Sequence, residues 1–106
     1  MEKLELICKR VNFCSSFDED AFFEWIRKIS CVMNIEGYGN ELHACINREK
    51  IDERSLRELL ALFYRYNVDM KQLAVFLNEN NREWFFENKV SFWHSKVFPN
   101  QEELRA

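Results

Sequence analysis

Glycine and proline are nearly missing from this chain, two and one respectively in 106 residues. Few positions can supply a positive φ or a rigid turn, so long flexible linkers are excluded and the connections must be short or built on Asn and Asp. A long apolar run is also lacking. The opening Met1-Glu2-Lys3-Leu4-Glu5-Leu6 is broken repeatedly by charge, and no stretch reaches signal-peptide or membrane-span length. No membrane partner is expected, and the cytoplasm is the expected compartment.

Cysteine is present but unpatterned. Cys8, Cys14, Cys31 and Cys45 include no C-x-x-C pair, so their spacing gives neither a zinc ribbon nor a redox motif, and they are expected as reduced thiols in or near a core. No G-x-x-x-x-G-K, G-x-G-x-x-G, H-E-x-x-H or G-x-S-x-G string occurs. No cofactor, no metal and no catalytic residue is expected. An excess of positive charge is lacking too: the formal charge is −3 and the sequence pI about 5.4. That is the wrong sign for a domain that holds phosphates by counterion release, and the basic residues are scattered among acids, so nucleic acid is not an expected partner.

What the chain does have is apolar mass. Hydrophobic residues make up 47% and aromatic residues 15%, with ten Phe and three Trp, far above what a disordered chain carries. At this length one core suffices without disulfides or metals, and a single α+β domain over 1–98 with a frayed tail over 99–106 is expected.

Leu4, Leu6 and Cys8 alternate with Lys3, Glu5 and Lys9, the period of a half-buried strand over Lys3 to Val11. Ser16-Phe17-Asp18-Glu19 matches a capping box and opens a helix to Ile29, with Phe22, Trp25, Ile26 and Ile29 on one stripe. Residues Cys31 to Glu36 and Glu41 to Ile46 read as strands around a Gly37-Tyr38-Gly39-Asn40 turn that holds both glycines of the chain. Asp52 caps a second helix with Leu56, Leu59, Leu60, Phe63 and Tyr64 on its apolar face, ending near Asn67. Lys71 to Leu77, KQLAVFL, is short and apolar, which suits a mostly buried strand, although length alone does not exclude a helical turn. From Asn80 to Phe98 the chain is rich in Trp and Phe and reads as two short helices or one bent one, stopped by Pro99. The order βαββαβ followed by aromatic helices predicts a split-βαβ, ferredoxin-like arrangement with a four-stranded antiparallel sheet.

Two groups of residues are candidates for contact with a partner. Asp18, Asp20 and Glu24 gather acids at the start of the first helix, where capping and the helix dipole on a solvated face account for them first and an acidic patch for a basic partner second. Glu36, Tyr38 and Glu41 place an aromatic between acids at the hairpin tip. His43 and Cys45, two apart on a strand, are the only pair close enough to suggest nucleophilic chemistry, and a shared strand face accounts for them without it.

Three segments, Asp18 to Ile26, Leu56 to Leu73, and Trp84-Phe85 with Phe92 to Phe98, together resemble the small immunity proteins of bacterial contact-dependent growth inhibition and related polymorphic toxin systems. The resemblance spans residues 17 to 98 and is one of sequence texture. It implies a non-enzymatic, cytoplasmic, stoichiometric inhibitor that binds the C-terminal domain of a cognate toxin, commonly a nuclease. The alternative from a different class is a small-ligand-sensing or regulatory module on the ferredoxin-like scaffold, which a preformed pocket with convergent polar groups would favour.

Overall fold

The structure, a computed structural model, describes residues 3–99. The expected frayed tail over 99–106 lies outside them except for Pro99. Packing divides the described residues into two compact units, one ending at Val68 and one beginning at Asp69.

The first unit runs β1 (Lys3–Lys9), α1 (Ser16–Lys28), β2 (Val32–Tyr38), β3 (Glu41–Asn47) and α2 (Glu53–Arg65), with a single 3₁₀ turn, Arg48–Lys50, before α2. The three strands form one antiparallel sheet in the order β1-β3-β2. The register pairs Leu4 with Ile46, Leu6 with Ala44 and Cys8 with Leu42, so one face of the sheet collects the apolar residues of both strands. Leu6, Cys8, Ala44 and Ile46 are each at most 1% exposed. α1 packs on β2 and on α2.

α1 starts one residue earlier than its capping signature suggests. Ser15, in extended conformation, accepts from Asp18 N at 3.2 Å, with Asp18 and Glu19 in the first turn and Arg27 and Lys28 in the last, signs that suit the helix dipole at both ends. Phe22, Ile26 and Ile29 form its buried stripe. α2 is capped by Asp52, which accepts from Ser55 N at 2.8 Å, as its sequence predicts. Leu56, Leu59, Leu60, Leu62 and Phe63 are almost wholly buried, each worth roughly 1.5–3 kcal/mol on transfer out of water. Tyr64, assigned to the same stripe by periodicity, lies at its margin and is 49% exposed. The helix ends in a Schellman motif: Asn67 adopts φ 57°, Asn67 N donates to Tyr64 O at 3.4 Å and Val68 N to Phe63 O at 2.9 Å. Asn does here what glycine does in chains that have more of it.

Only one glycine serves the hairpin turn. Gly39 has φ 63°, while Gly37 lies inside β2 opposite Leu42.

The second unit contains the main correction to the expected fold. Lys71–Phe76 is a 3₁₀ helix and not a strand, so the sheet has three strands and the four-stranded, ferredoxin-like order does not form. Local bonds capture this backbone before a ladder can. Asp69 Oδ1 accepts from Lys71 N at 3.0 Å, Gln72 Nε2 donates to Asp69 O at 2.8 Å, and i→i+3 bonds join Leu73 N to Met70 O and Leu77 N to Ala74 O. Met70, Leu73 and Phe76 are buried at a spacing of three, the repeat that brings side chains of a 3₁₀ helix into line.

Beyond it, Asn78 Oδ1 accepts from Asn80 N and Asn81 N, while the side chain of buried Asn81 accepts from Asn78 N through Oδ1 and donates to Phe76 O through Nδ2 at 2.8 Å. Two short helices follow, α3 (Arg82–Phe85) and α4 (His94–Val97), as the aromatic segment predicts. Trp93 Nε1 donates to Phe85 O at 2.8 Å, and Trp84 meets Trp93 edge-on at 5.8 Å. Phe98 meets Phe85 at 5.2 Å and Phe86 at 5.0 Å. These aromatics therefore pack among themselves. His94 is buried among them, 5.9 Å from Phe86 and 5.5 Å from Phe98, and its Nε2 makes no hydrogen bond.

Candidate functional site: the polar face of the sheet

Strand parity that sends Leu4, Leu6 and Cys8 to the core sends Glu5, Ile7 and Lys9 the other way, and the register sets them opposite Cys45, His43 and Glu41. On the other side of β3, Asn34, Glu36 and Tyr38 stand opposite the same three residues. The result is a polar face with His43 at its centre. Tyr38 is 56% exposed and the Glu5 side chain 55%, so the rim is open to solvent.

Each nitrogen of His43 meets a carboxylate. Nδ1 lies 3.0 Å from Glu5 Oε1 on β1, and Nε2 lies 3.0 Å from Glu41 Oε1 two residues before it on β3. A neutral imidazole has one N–H and could satisfy only one of them; the imidazolium satisfies both. The bonds to Glu41 and then Glu5 accordingly raise the pKa of His43 above its ordinary value, against a smaller opposing effect of desolvation. The Tyr38 ring stands edge-on to the imidazole at 4.8 Å, and Tyr38 Oη donates to Glu36 Oε1 at 3.3 Å. The charge and hydrogen bond of Glu36 raise the pKa of Tyr38 in turn. Lys9 Nζ reaches Glu41 Oε2 at 4.0 Å.

Of the six contact candidates read from the sequence, the structure brings Glu36, Tyr38 and Glu41 together here. Asp18, Asp20 and Glu24 lie apart from them on α1, in the helical layer. Asp20 and Glu24 are exposed. Asp18 is occupied internally: its Oδ2 accepts from Cys14 N at 2.8 Å and its Oδ1 from Tyr66 Oη at 3.0 Å. Sequence reasoning missed Glu5, whose outward parity was visible but whose position beside His43 depends on the β1–β3 register. It also paired His43 with Cys45, whereas both ring nitrogens face carboxylates.

The four cysteines are free thiols. Burial pushes Cys8 up to about 12 and Cys31 up to about 11, which removes thiolate character from both near neutrality. Among the described residues, no group of three or more His, Cys, Asp or Glu side chains is arranged to hold a metal ion, and no helix is long and apolar enough to cross a membrane.

Comparison with protein-family models, with curated proteins and with solved structures gives no match.

The first unit also contains a cleft of about 430 Å³ between the end of α1 and the start of α2. Its walls include Trp25, whose Nε1 donates to Glu58 Oε1 at 2.8 Å, and Ser55, whose Oγ lies 3.0 Å from Ser30 Oγ. Lys28, Arg54 and Asp52 complete a lining of mixed charge.

Proposed function

We propose that this chain acts by binding and not by catalysis, as a cytoplasmic, stoichiometric inhibitor of a basic protein partner, the cognate toxin domain that the sequence resemblance implies. The observation that carries this reading is the convergence of Glu5, Glu36, Glu41 and Tyr38 on one solvent-open sheet face. Carboxylates around an aromatic form a surface of matched sign for a basic cleft, and such matching speeds encounter and fixes register. The segments that carry the resemblance contribute Phe22, Ile26, Leu56, Leu59, Leu60 and Phe63, all buried. The resemblance thus rests largely on packing residues and not on the contact surface.

The test is purification of the tagged protein from its native host at low salt. An equimolar complex with the C-terminal domain of a toxin is expected, together with loss of that toxin's activity at a 1:1 ratio and restoration of activity by E36Q/E41Q. Recovery of the protein alone, with no protection of cells, counts against the inhibitor.

One observation favours a second reading. The mixed-charge cleft between α1 and α2 falls in the size range of small-ligand sites, which supports a ligand-binding module built on this three-stranded fold. Ligand screening by NMR with shifts confined to Trp25, Ser55 and Glu58 would favour it over the inhibitor.

A further inference from the structure

We propose that His43 is a proton-operated clasp on the polar face, closed on Glu5 and Glu41 when the ring is charged and released when it is neutral, so that the face is more acidic toward a basic partner at higher pH. The proposal deepens the docking reading above and rests on it for the identity of the partner. It stands on the geometry of two contacts at 3.0 Å, one from each ring nitrogen: the contact with Glu5 ties β3 to β1, and the contact with Glu41 stays within β3.

The charged and titratable groups around the ring are Glu5 and, through Glu41, Lys9 from β1; Glu36 and Tyr38 from β2; and Glu41 and Cys45 from β3 itself. Carboxylates outnumber cations in this set, so the imidazolium serves as their internal counterion. When it loses its proton, only one carboxylate can still accept a hydrogen bond from the ring, and the other faces a lone pair. The face gains one unit of negative charge, and a carboxylate becomes free for an incoming ammonium or guanidinium. A partner's Lys or Arg thereby replaces the histidine proton, and linkage requires the reciprocal effect: a basic ligand must lower the pKa of His43.

The experiment is an NMR titration of the His43 imidazole nitrogens between about pH 5 and 9, on the intact protein alone and with hexalysine at low salt. Without ligand, His43 is expected to titrate above the ordinary histidine value of about 6.5, and E5Q and E41Q should each bring it down. With hexalysine the titration should move to lower pH, and hexalysine affinity should rise by about fivefold or more across the transition. H43Q should abolish that rise. An ordinary titration value, unchanged by E5Q and E41Q, overturns the clasp. A raised value with hexalysine affinity independent of pH overturns its control of the face. The titration of the free protein needs no partner, so its failure is distinct from failure to find a toxin complex, which bears on the docking reading alone.

Discussion

Tyr66 Oη donates to Asp18 Oδ1 at 3.0 Å, joining the C-cap of α2 to the first turn of α1 across 48 positions of sequence. The ring of Tyr66 also meets Phe22 edge-on at 5.0 Å and Phe13 at 6.1 Å, so the hydroxyl sits on an aromatic contact that persists without it. Tyr66→Phe should therefore cost about 1 kcal/mol, the net worth of one part-buried hydrogen bond, in urea unfolding. Asp18→Ala should cost more, because it also removes the acceptor for Cys14 N. The two should be less than additive, and full additivity would show that the bond contributes nothing. Any test of electrostatic steering by α1 belongs with Asp20 and Glu24, since replacing Asp18 changes stability as well as charge.

Two groups set opposite pH dependences. His43 has a folded pKa raised by its bonds to Glu41 and Glu5. Its contribution is fully present below the unfolded value of about 6.5 and is lost as pH rises through the higher folded value. Asp52 has a folded pKa lowered by its bonds to Ser55. Its contribution is present above the ordinary carboxylate range and is lost as pH falls through the depressed folded value. Thermal melts should show H43Q flattening the alkaline side of the stability profile only, and D52A flattening the acid side only, while lowering stability near neutrality by about 1 kcal/mol through loss of the cap. A profile unchanged by H43Q above about pH 6.5 would remove the histidine from this account.

Thiol reactivity should be graded by site. Cys14 is exposed, whereas Cys8 and Cys31 are wholly buried with pKa values pushed up to about 12 and about 11. Iodoacetamide at neutral pH, followed by mass mapping, should label Cys14 first and leave Cys8 and Cys31 unmodified until the protein unfolds. Early labelling of Cys31 would contradict the packing around it.

His94 offers a substitution that should not harm the fold. Its Nε2 is buried without a hydrogen bond, an uncompensated desolvation cost. His94→Leu removes that atom at similar volume, and its unfolding free energy should stay level or rise by up to about 1 kcal/mol. A loss larger than that would mean the ring is held by its contacts with Phe86 and Phe98 more than it is penalised by its nitrogen.

The amino-acid sequence determined the elements whose signals are local and repeated. The alternation of Leu4, Leu6 and Cys8 specified β1, the stripes of Phe22, Ile26 and Ile29 and of Leu56, Leu59, Leu60 and Phe63 specified α1 and α2, and Asp52 marked its helix start to the residue. Burial on one face writes these periods into the chain, so they can be read from it. The 3₁₀ helix at Lys71–Phe76 was legible only in part: Met70, Leu73 and Phe76 have its spacing of three, but the intervening Ala74 and Val75, with Leu77 after them, mask it with continuous apolar character. The polar face lay beyond the sequence's reach for a different reason. Parity states which side of a strand a residue occupies, while register decides its neighbour, and register is settled by how whole apolar faces meet. Glu5 and His43 are far apart in the chain and carry no mark of each other; only the pairing of Leu4 with Ile46 and Leu6 with Ala44 brings the carboxylate and the imidazole to 3.0 Å.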